Sequence, residues 1–219
     1  MSGLTISGIR LASDESGEAW DVSLVDGLVD SIEPGGTLVG ADTRDGSGVT
    51  LYPGFIDVHN HGAVGVDVNE ADVDGLVAVA KFLAREGVTA WMPTLVPDSD
   101  ENYRRAIDAI DRLMEIQREL PIAQAVGVHY EGVFANEKMC GALRPEFFKS
   151  FNDVLSHPTI EEKISTKEET KKKRFTGAEL FGLPTLRSGI HMTTFAPEVE
   201  NGVELAKELT KQGWIASIG

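Results

Sequence analysis

From Pro53 onward, short strand-like runs alternate with amphipathic helical ones, and this rhythm leaves the chain few architectures to fold into. Parallel strands need a crossover of a dozen or more residues, usually a helix, so a repeating strand–helix pattern predicts a parallel sheet covered by helices. The first strand is expected at Phe55 to His59. The helix after it carries Val73, Leu76, Val77, Ala80, Leu83 and Ala84 at helical spacing, with Asp72 as its cap and Gly87 as its stop. A strand from Val88 to Pro93 leads to a second helix with Tyr103, Ala106, Ile107, Ile110, Leu113 and Met114 on one face, capped by Asp98 or Ser99. Further strands are expected at Ile122 to Tyr130, Ile190 to Phe195 and Trp214 to Ile218, with a helix at Val203 to Leu209 between the last two. An eight-stranded (β/α) barrel typically takes about 250 residues. The stretch 53–219 is shorter, so the expectation is the first part of a barrel, about five strands, with its C-terminal part absent.

Residues 1–52 read differently. Leu4 and Ile6 alternate with polar neighbours, and Asp26-Gly27 separates Val22 to Val25 from Leu28 to Ile32, which predicts a tight hairpin. The expected organisation is α/β: a small β-sandwich segment over 1–52, then a partial TIM-like (β/α) barrel over 53–219.

Composition closes off several functions. A formal charge of −15 argues against a nucleic-acid surface, which needs concentrated Lys and Arg. The basic run Lys171 to Arg174 follows Glu161, Glu162, Glu168 and Glu169 and reads as a solvated mixed-charge stretch. Gly, Pro or charge interrupts every apolar run short of the ~20 residues a membrane span needs, and no signal-peptide pattern opens the chain, so a cytoplasmic location is expected. The single cysteine, Cys140, rules out an intrachain disulfide and a thiolate cluster, so a metal would be held by His and carboxylate.

The segment Pro53-Gly54-Phe55-Ile56-Asp57-Val58-His59-Asn60-His61-Gly62 supplies such ligands. Residues two apart on a strand share a face, so His59 and His61 can address one ion from the C-terminal end of the first barrel strand, the end where this architecture places its active sites. Gly127-Val128-His129-Tyr130-Glu131-Gly132 puts a carboxylate, Glu131, at the end of the third strand. A lone His-X-His is unspecific, and Glu131 also fits a solvated strand end. His129 and His191, on strands, read as buried structural histidines, and His157, beside Pro158, as a surface residue.

The Pro-Gly-Phe-Ile-Asp-X-His-X-His pattern resembles the amidohydrolase superfamily. Within it, Gly127 to Gly141, with Thr89 to Leu95 before and Thr194-Phe195-Ala196-Pro197-Glu198 after, resembles the N-acetylglucosamine-6-phosphate deacetylase family over nearly the whole chain. The resemblance implies a metal-dependent hydrolase that releases acetate from an N-acetylated amino-sugar phosphate. It implies Glu131 as principal metal ligand, His59 and His61 as ligands in members holding a second ion, and Gly141 and Ala142 beside the sugar-phosphate pocket. The cofactor implied is a divalent metal, zinc first, with Fe2+ or another ion as the alternative and one or two ions bound. A homodimer is carried with the same resemblance. Two departures stand out: Leu143 occupies the family's usual His position, and Val133 the position of a Pro. Leu143 cannot hydrogen-bond a hydroxyl or phosphate, so a related N-acetylated sugar phosphate is a rival substrate. The family's catalytic Asp and further His ligands are expected beyond Gly219, which makes an inactive metal- or partner-binding fragment the rival function.

Overall fold

The computed structural model describes residues 3–152 and 179–219, and the chain divides into two compact units, Met1–Pro53 and Gly54–Gly219. The charged stretch Glu161 to Arg174 and His157 lie outside the described residues.

The first unit is one five-stranded sheet in the order β3-β2-β1-β4, with β5 also on β1. Its strands are β1 (Gly3–Leu11), β2 (Trp20–Val25), β3 (Leu28–Pro34), β4 (Thr43–Asp45) and β5 (Thr50–Leu51). The described residues of this unit contain no second sheet facing it, so the expected sandwich is represented by a single layer. Asp26 and Gly27, both at positive φ, close the β2–β3 hairpin as an Asp-Gly turn should. The β1 ladder is irregular between Ile6 and Ile9, and there the buried Asp21 accepts from the Gly8 N–H at 3.0 Å and the Leu38 N–H at 3.0 Å. Those backbone donors, Leu38 and then Gly8, hold its carboxyl below the ordinary range.

The second unit is built on a six-stranded sheet whose parallel strands follow chain order, with β10 extending one edge of β9. These are β6 (Phe55–Asn60), β9 (Val88–Leu95), β10 (Gln124–Ala125) with β11 (Gly127–Glu131), β14 (Ile190–Phe195) and β15 (Ile215–Ile218). This is the expected curled, partial barrel sheet. Helix α1 (Val73–Arg85) presents Leu76, Val79, Ala80 and Leu83 to the sheet, and Asp72 caps it by accepting from the Gly75 N–H at 2.9 Å. Ser99, rather than Asp98, caps α2 (Asp100–Ile116), accepting from the Asn102 N–H at 3.2 Å. A third helix, α3 (Gly202–Lys211), precedes β15. Burying each Leu or Val of these helices contributes about 1.5–3 kcal/mol, and a charge at Leu76 would forfeit that and strand itself among Trp91 and Val79. No helix among the described residues is long and apolar enough to cross a membrane.

The strand expected over Ile122 to Tyr130 is shorter and broken. Ile122 precedes it, and Val126 interrupts it between β10 and β11. The pairing with β9 slips by one residue there, while Val126 still donates to the Trp91 carbonyl and accepts from the Ile190 N–H, each at 3.0 Å; the Gln117 amide bonds the Ala125 backbone beside it, donating to its carbonyl at 2.9 Å and accepting from its N–H at 2.7 Å. The turn-rich connection after Glu131 holds a small hairpin, β12 (Glu179–Leu180) and β13 (Leu183–Pro184), turned by Phe181 and Gly182 at positive φ. A second one, β7 (Gly62–Ala63) with β8 (Val66–Asp67), follows β6.

Strand alternation separates the sheet's two faces. On β11, Val128 and Tyr130 join the core with the helices, and the Tyr130 hydroxyl donates to the Pro184 carbonyl at 2.7 Å. His129 and Glu131 therefore point the other way, toward the face that carries His59 and His61.

Candidate metal centre

At the end of β6 the ladder with β9 becomes irregular between Asp57 and Asn60, and side chains take over the backbone's bonding. Asp57 accepts from the His59 N–H at 3.1 Å and the Asn60 amide at 2.9 Å. The Asn60 N–H donates to the Thr94 hydroxyl at 2.9 Å, and Asn60 in turn accepts from the Gly62 N–H at 2.9 Å. Gly62 sits at φ +128°, where a Cβ would lie 2.0 Å from the Val66 carbonyl oxygen, so only glycine lets the chain turn away here. The result is a fixed loop root that holds both histidines on one side.

His59 Nε2 and His61 Nε2 lie 2.9 Å apart, and Glu131 Oε2 is 3.0 Å from the second and 3.5 Å from the first. Ligand atoms bound tetrahedrally at zinc's roughly 2.0–2.2 Å sit roughly 3.3–3.5 Å from one another. The observed triangle is close to that size, and the donor set of two imidazoles and a carboxylate suits zinc or another first-row divalent ion. The residues present therefore fit such an ion. The three are half-exposed to exposed, which leaves the remaining coordination side open to a cavity.

His129 supports this arrangement from below. It is buried, and its Nδ1 lies 3.1 Å from the Val58 carbonyl oxygen, 3.4 Å from the Thr94 hydroxyl. A carbonyl can only accept, so Nδ1 carries the proton, and Nε2 accepts from the Thr194 hydroxyl at 2.8 Å. Burial, together with the neighbouring His59, pushes His129 down to about 4, and it is neutral at physiological pH. One side chain thus links β6, β9, β11 and β14 directly beneath the cluster. His191 is also held in the structure, its Nε2 accepting from the Leu186 N–H at 2.9 Å and its ring lying 5.0 Å from that of Trp214.

A cavity of about 620 Å³ opens beside the cluster, with His61 and Glu131 on its wall. Ala142 lines it, whereas Gly141 turns the chain at φ +60° without itself lining it. Leu143 also faces it and packs across Gly132, where a Cβ would come within 2.2 Å of Leu143 Cδ1. Sequence reasoning gave no site role to the rest of the wall, although it quoted the segment Thr194 to Glu198 as part of the resemblance. Thr194 stands level with Glu131 on the neighbouring strand, and Asn136 donates to Glu198 at 2.9 Å. Arg144 ion-pairs with the buried Asp98 at 2.8 Å. Parity along β14 would have placed Thr194 on the site's face, but the Arg144–Asp98 pair, 46 residues apart, left no local signal.

The arrangement is that of a candidate metal site, with paired histidines and a glutamate at the C-terminal strand ends of a barrel-type parallel βα sheet. The curated relatives are narrower in kind. Over 92% of its length the chain is 29% identical to an N-acetylglucosamine-6-phosphate deacetylase of Lysinibacillus sphaericus, covering 46% of that protein. It is 28% identical, again over 92% of its length, to an N-acetylgalactosamine-6-phosphate deacetylase of Escherichia coli O157:H7, covering 47%. The chain therefore spans about half the length of these relatives. Its fold is shared with the N-acetylglucosamine-6-phosphate deacetylase of Pasteurella multocida, at TM-score 0.71 and 20% identity over 100% of this chain and 51% of that one. The Mycobacterium smegmatis deacetylase, a mutant in complex with N-acetyl-D-glucosamine-6-phosphate, aligns at TM-score 0.65 and 23% identity over 99% of this chain and 49% of that one. No protein-family model matches the chain. By sequence and fold it is a homologue of the N-acetylglucosamine-6-phosphate deacetylases.

Proposed function

We propose that this chain carries the metal-binding portion of a deacetylase acting on N-acetylglucosamine 6-phosphate, a step in amino-sugar catabolism in the cytoplasm. Residues 53–219 supply the first part of its barrel and 1–52 the small β unit. The observation that carries the reading is the His59, His61 and Glu131 triangle opening onto a cavity of sugar size, in a homologue of deacetylases. These three residues would hold the ion. A divalent metal there would supply Lewis acidity, polarising an amide carbonyl and making water a better nucleophile near neutral pH. The chain's own side chains bind and orient. Glu131 and the histidines set the ion's position, Ala142 and Leu143 form an apolar wall, and the Asn136–Glu198 pair offers an acceptor to sugar hydroxyls. The Asn136 amide keeps the Glu198 carboxyl below its ordinary range, which suits an ionised acceptor better than a proton shuttle. Pairing of two copies, as a homodimer, is part of the same reading.

Leu143 favours a second reading, in which the sugar is the galactosamine counterpart. It presents carbon where a hydroxyl-binding side chain would discriminate between epimers, and one relative is a deacetylase of that sugar phosphate. The deciding experiment follows zinc-dependent binding of both N-acetylated sugar 6-phosphates to the 219-residue chain, then free-amine release with zinc and with a chelator. Zinc-dependent binding of either sugar is expected, and the tighter one names the substrate. Binding without turnover would place the proton-transferring group outside this chain, and a zinc-loaded chain that binds neither sugar would refute the proposal.

A further inference from the structure

We propose that the carbon wall centred on Leu143 receives the substrate's acyl group and fits one longer than acetyl, with propionyl and butyryl amides as the favoured class; this rests on the reading of the site above as an amide-cleaving metal centre. The scissile amide of any substrate has to come to the His59, His61 and Glu131 triangle, so the group on its carbonyl carbon starts within reach of the residues beside Glu131. Leu143 is one of these. Its side chain packs over Gly132, the residue after Glu131, so closely that a Cβ there would lie 2.2 Å from Leu143 Cδ1. Both residues line the cavity, and Leu143 is only partly covered.

Other segments add carbon to the same cavity. Val96 comes from just past the end of β9, Ala135 and Ala142 from the connection after β11, and Ala196 from just past the end of β14. Apolar atoms touch only within about 4.0–4.5 Å, so a single methyl group covers little of a wall drawn from three connections, and one or two further carbons cover more. The wall is also fixed in advance. Asn69 clamps Val96 through both backbone groups, accepting from its N–H and donating to its carbonyl at 3.0 Å each, and Arg144 holds the backbone next to Leu143 by its 2.8 Å pair with the buried Asp98. None of the wall's apolar side chains donates or accepts a hydrogen bond, so sugar hydroxyls turn instead to the Asn136–Glu198 pair. An alkyl chain, by contrast, gains roughly threefold to fourfold in affinity for each methylene buried.

Calorimetric titration of the zinc-loaded 219-residue chain with two series of ligands tests this. Aceto-, propiono- and butyrohydroxamate carry an acyl chain on a metal-chelating head and no sugar; N-acetyl-, N-propionyl- and N-butyryl-glucosamine 6-phosphate carry the same chains on the sugar. In both series affinity is expected to rise roughly threefold to fourfold per added carbon. Leu143→Asn, which keeps a branched side chain of similar size while making it polar, should flatten the rise, and zinc titration of the variant checks that its metal centre is intact. If Leu143→Asn does not fold, the isosteric Val96→Thr samples the same wall and serves in its place. Affinity that is flat or falling along the wild-type hydroxamates, no hydroxamate binding at all, or an undiminished rise in the folded variant overturns the proposal. A Leu143-dependent rise among the hydroxamates with none of the sugar phosphates bound would leave the acyl wall standing and remove the sugar reading. Sugar phosphates bound most tightly in the N-acetyl form would keep the sugar reading and overturn the preference for a longer chain.

Discussion

Replacing His129 with Phe removes a side chain that ties four strands together under the candidate metal centre, and the structure gives the size of the effect. The ring is buried, and the substitution keeps its shape while deleting a donor and an acceptor. Two groups lose their partner: the Val58 carbonyl, in the irregular stretch of β6 where the ladder with β9 lapses, and the Thr194 hydroxyl. A buried group left unsatisfied costs about 1–3 kcal/mol. Both bonds are only partly buried, so water can replace part of each, and the expected loss is about 1–2 kcal/mol. Urea denaturation of the metal-free chain measures it. Thr194→Val supplies the control, because removing both partners of a buried hydrogen bond costs less than removing one. The His129→Phe/Thr194→Val double variant should therefore lie above the sum of the two singles by about 1 kcal/mol or more. Zinc affinity should fall as well, by roughly the 10–100-fold typical of losing an outer-sphere support. A His129→Phe chain within 0.5 kcal/mol of wild type, on the scale of an ordinary surface change, with additive doubles, would refute the keystone role.

Gly127→Ala should destabilise by about 3 kcal/mol or more, the upper end of overpacking, because its Cβ would lie 2.1 Å from the Ile190 carbonyl oxygen; an unchanged urea midpoint would contradict the close approach of β11 and β14. His61→Ala and Glu131→Gln should each weaken zinc binding beyond the roughly 10–100-fold of an outer-sphere loss and abolish the zinc-induced rise in melting temperature, read by competition titration and thermal melting. For Asp98, burial raises the carboxyl, but hydrogen bonds from Arg144, the Ser99 N–H, Asn69 and Asn102 outweigh it and hold the group below the ordinary carboxylate value. A depressed folded value means stability that is present above the unfolded pKa and lost as pH falls through the folded one. Unfolding free energy measured from pH 6 to 2 should show that loss in wild type and a shallower acid limb in Asp98→Asn; identical limbs would contradict it.

Local chemistry was legible in the sequence wherever one element decides the outcome. The apolar stripe of α1 and its Asp72 cap, the Asp26-Gly27 turn, and the shared face of His59 and His61 all follow from a period of 3.6 or 2 and a few turn residues. The strand Ile190 to Phe195 was readable for the same reason. What lay hidden depends on lateral register between strands. Glu131 was reached from its strand-end position and the family resemblance, but its standing level with Thr194 follows from the stagger of β9, β11 and β14, which no periodicity along β11 reveals. The one-residue slip in the pairing with β9 across Val126 is likewise a matter of register, with the Gln117 side chain, at the end of α2, bonding the Ala125 backbone beside it.

That dependence on register separates what can vary from what cannot. The candidate ion-holding triangle is positioned by backbone and by a hydrogen-bonded chain running from the Asn60 N–H through the Thr94, His129 and Thr194 side chains across adjacent strands, so a change in any one of these side chains moves its neighbours. The opposite wall of the cavity is set by the connection after β11, where Ala142, Leu143 and Arg144 reach the cavity from non-strand backbone and Arg144 is anchored at Asp98. Exchanging a side chain there alters what the cavity recognises while leaving the strand stagger intact. A leucine at position 143 is therefore compatible with an undisturbed metal centre. What the cavity admits should respond to substitutions at 143, whereas metal affinity should respond to those at 129 and 194.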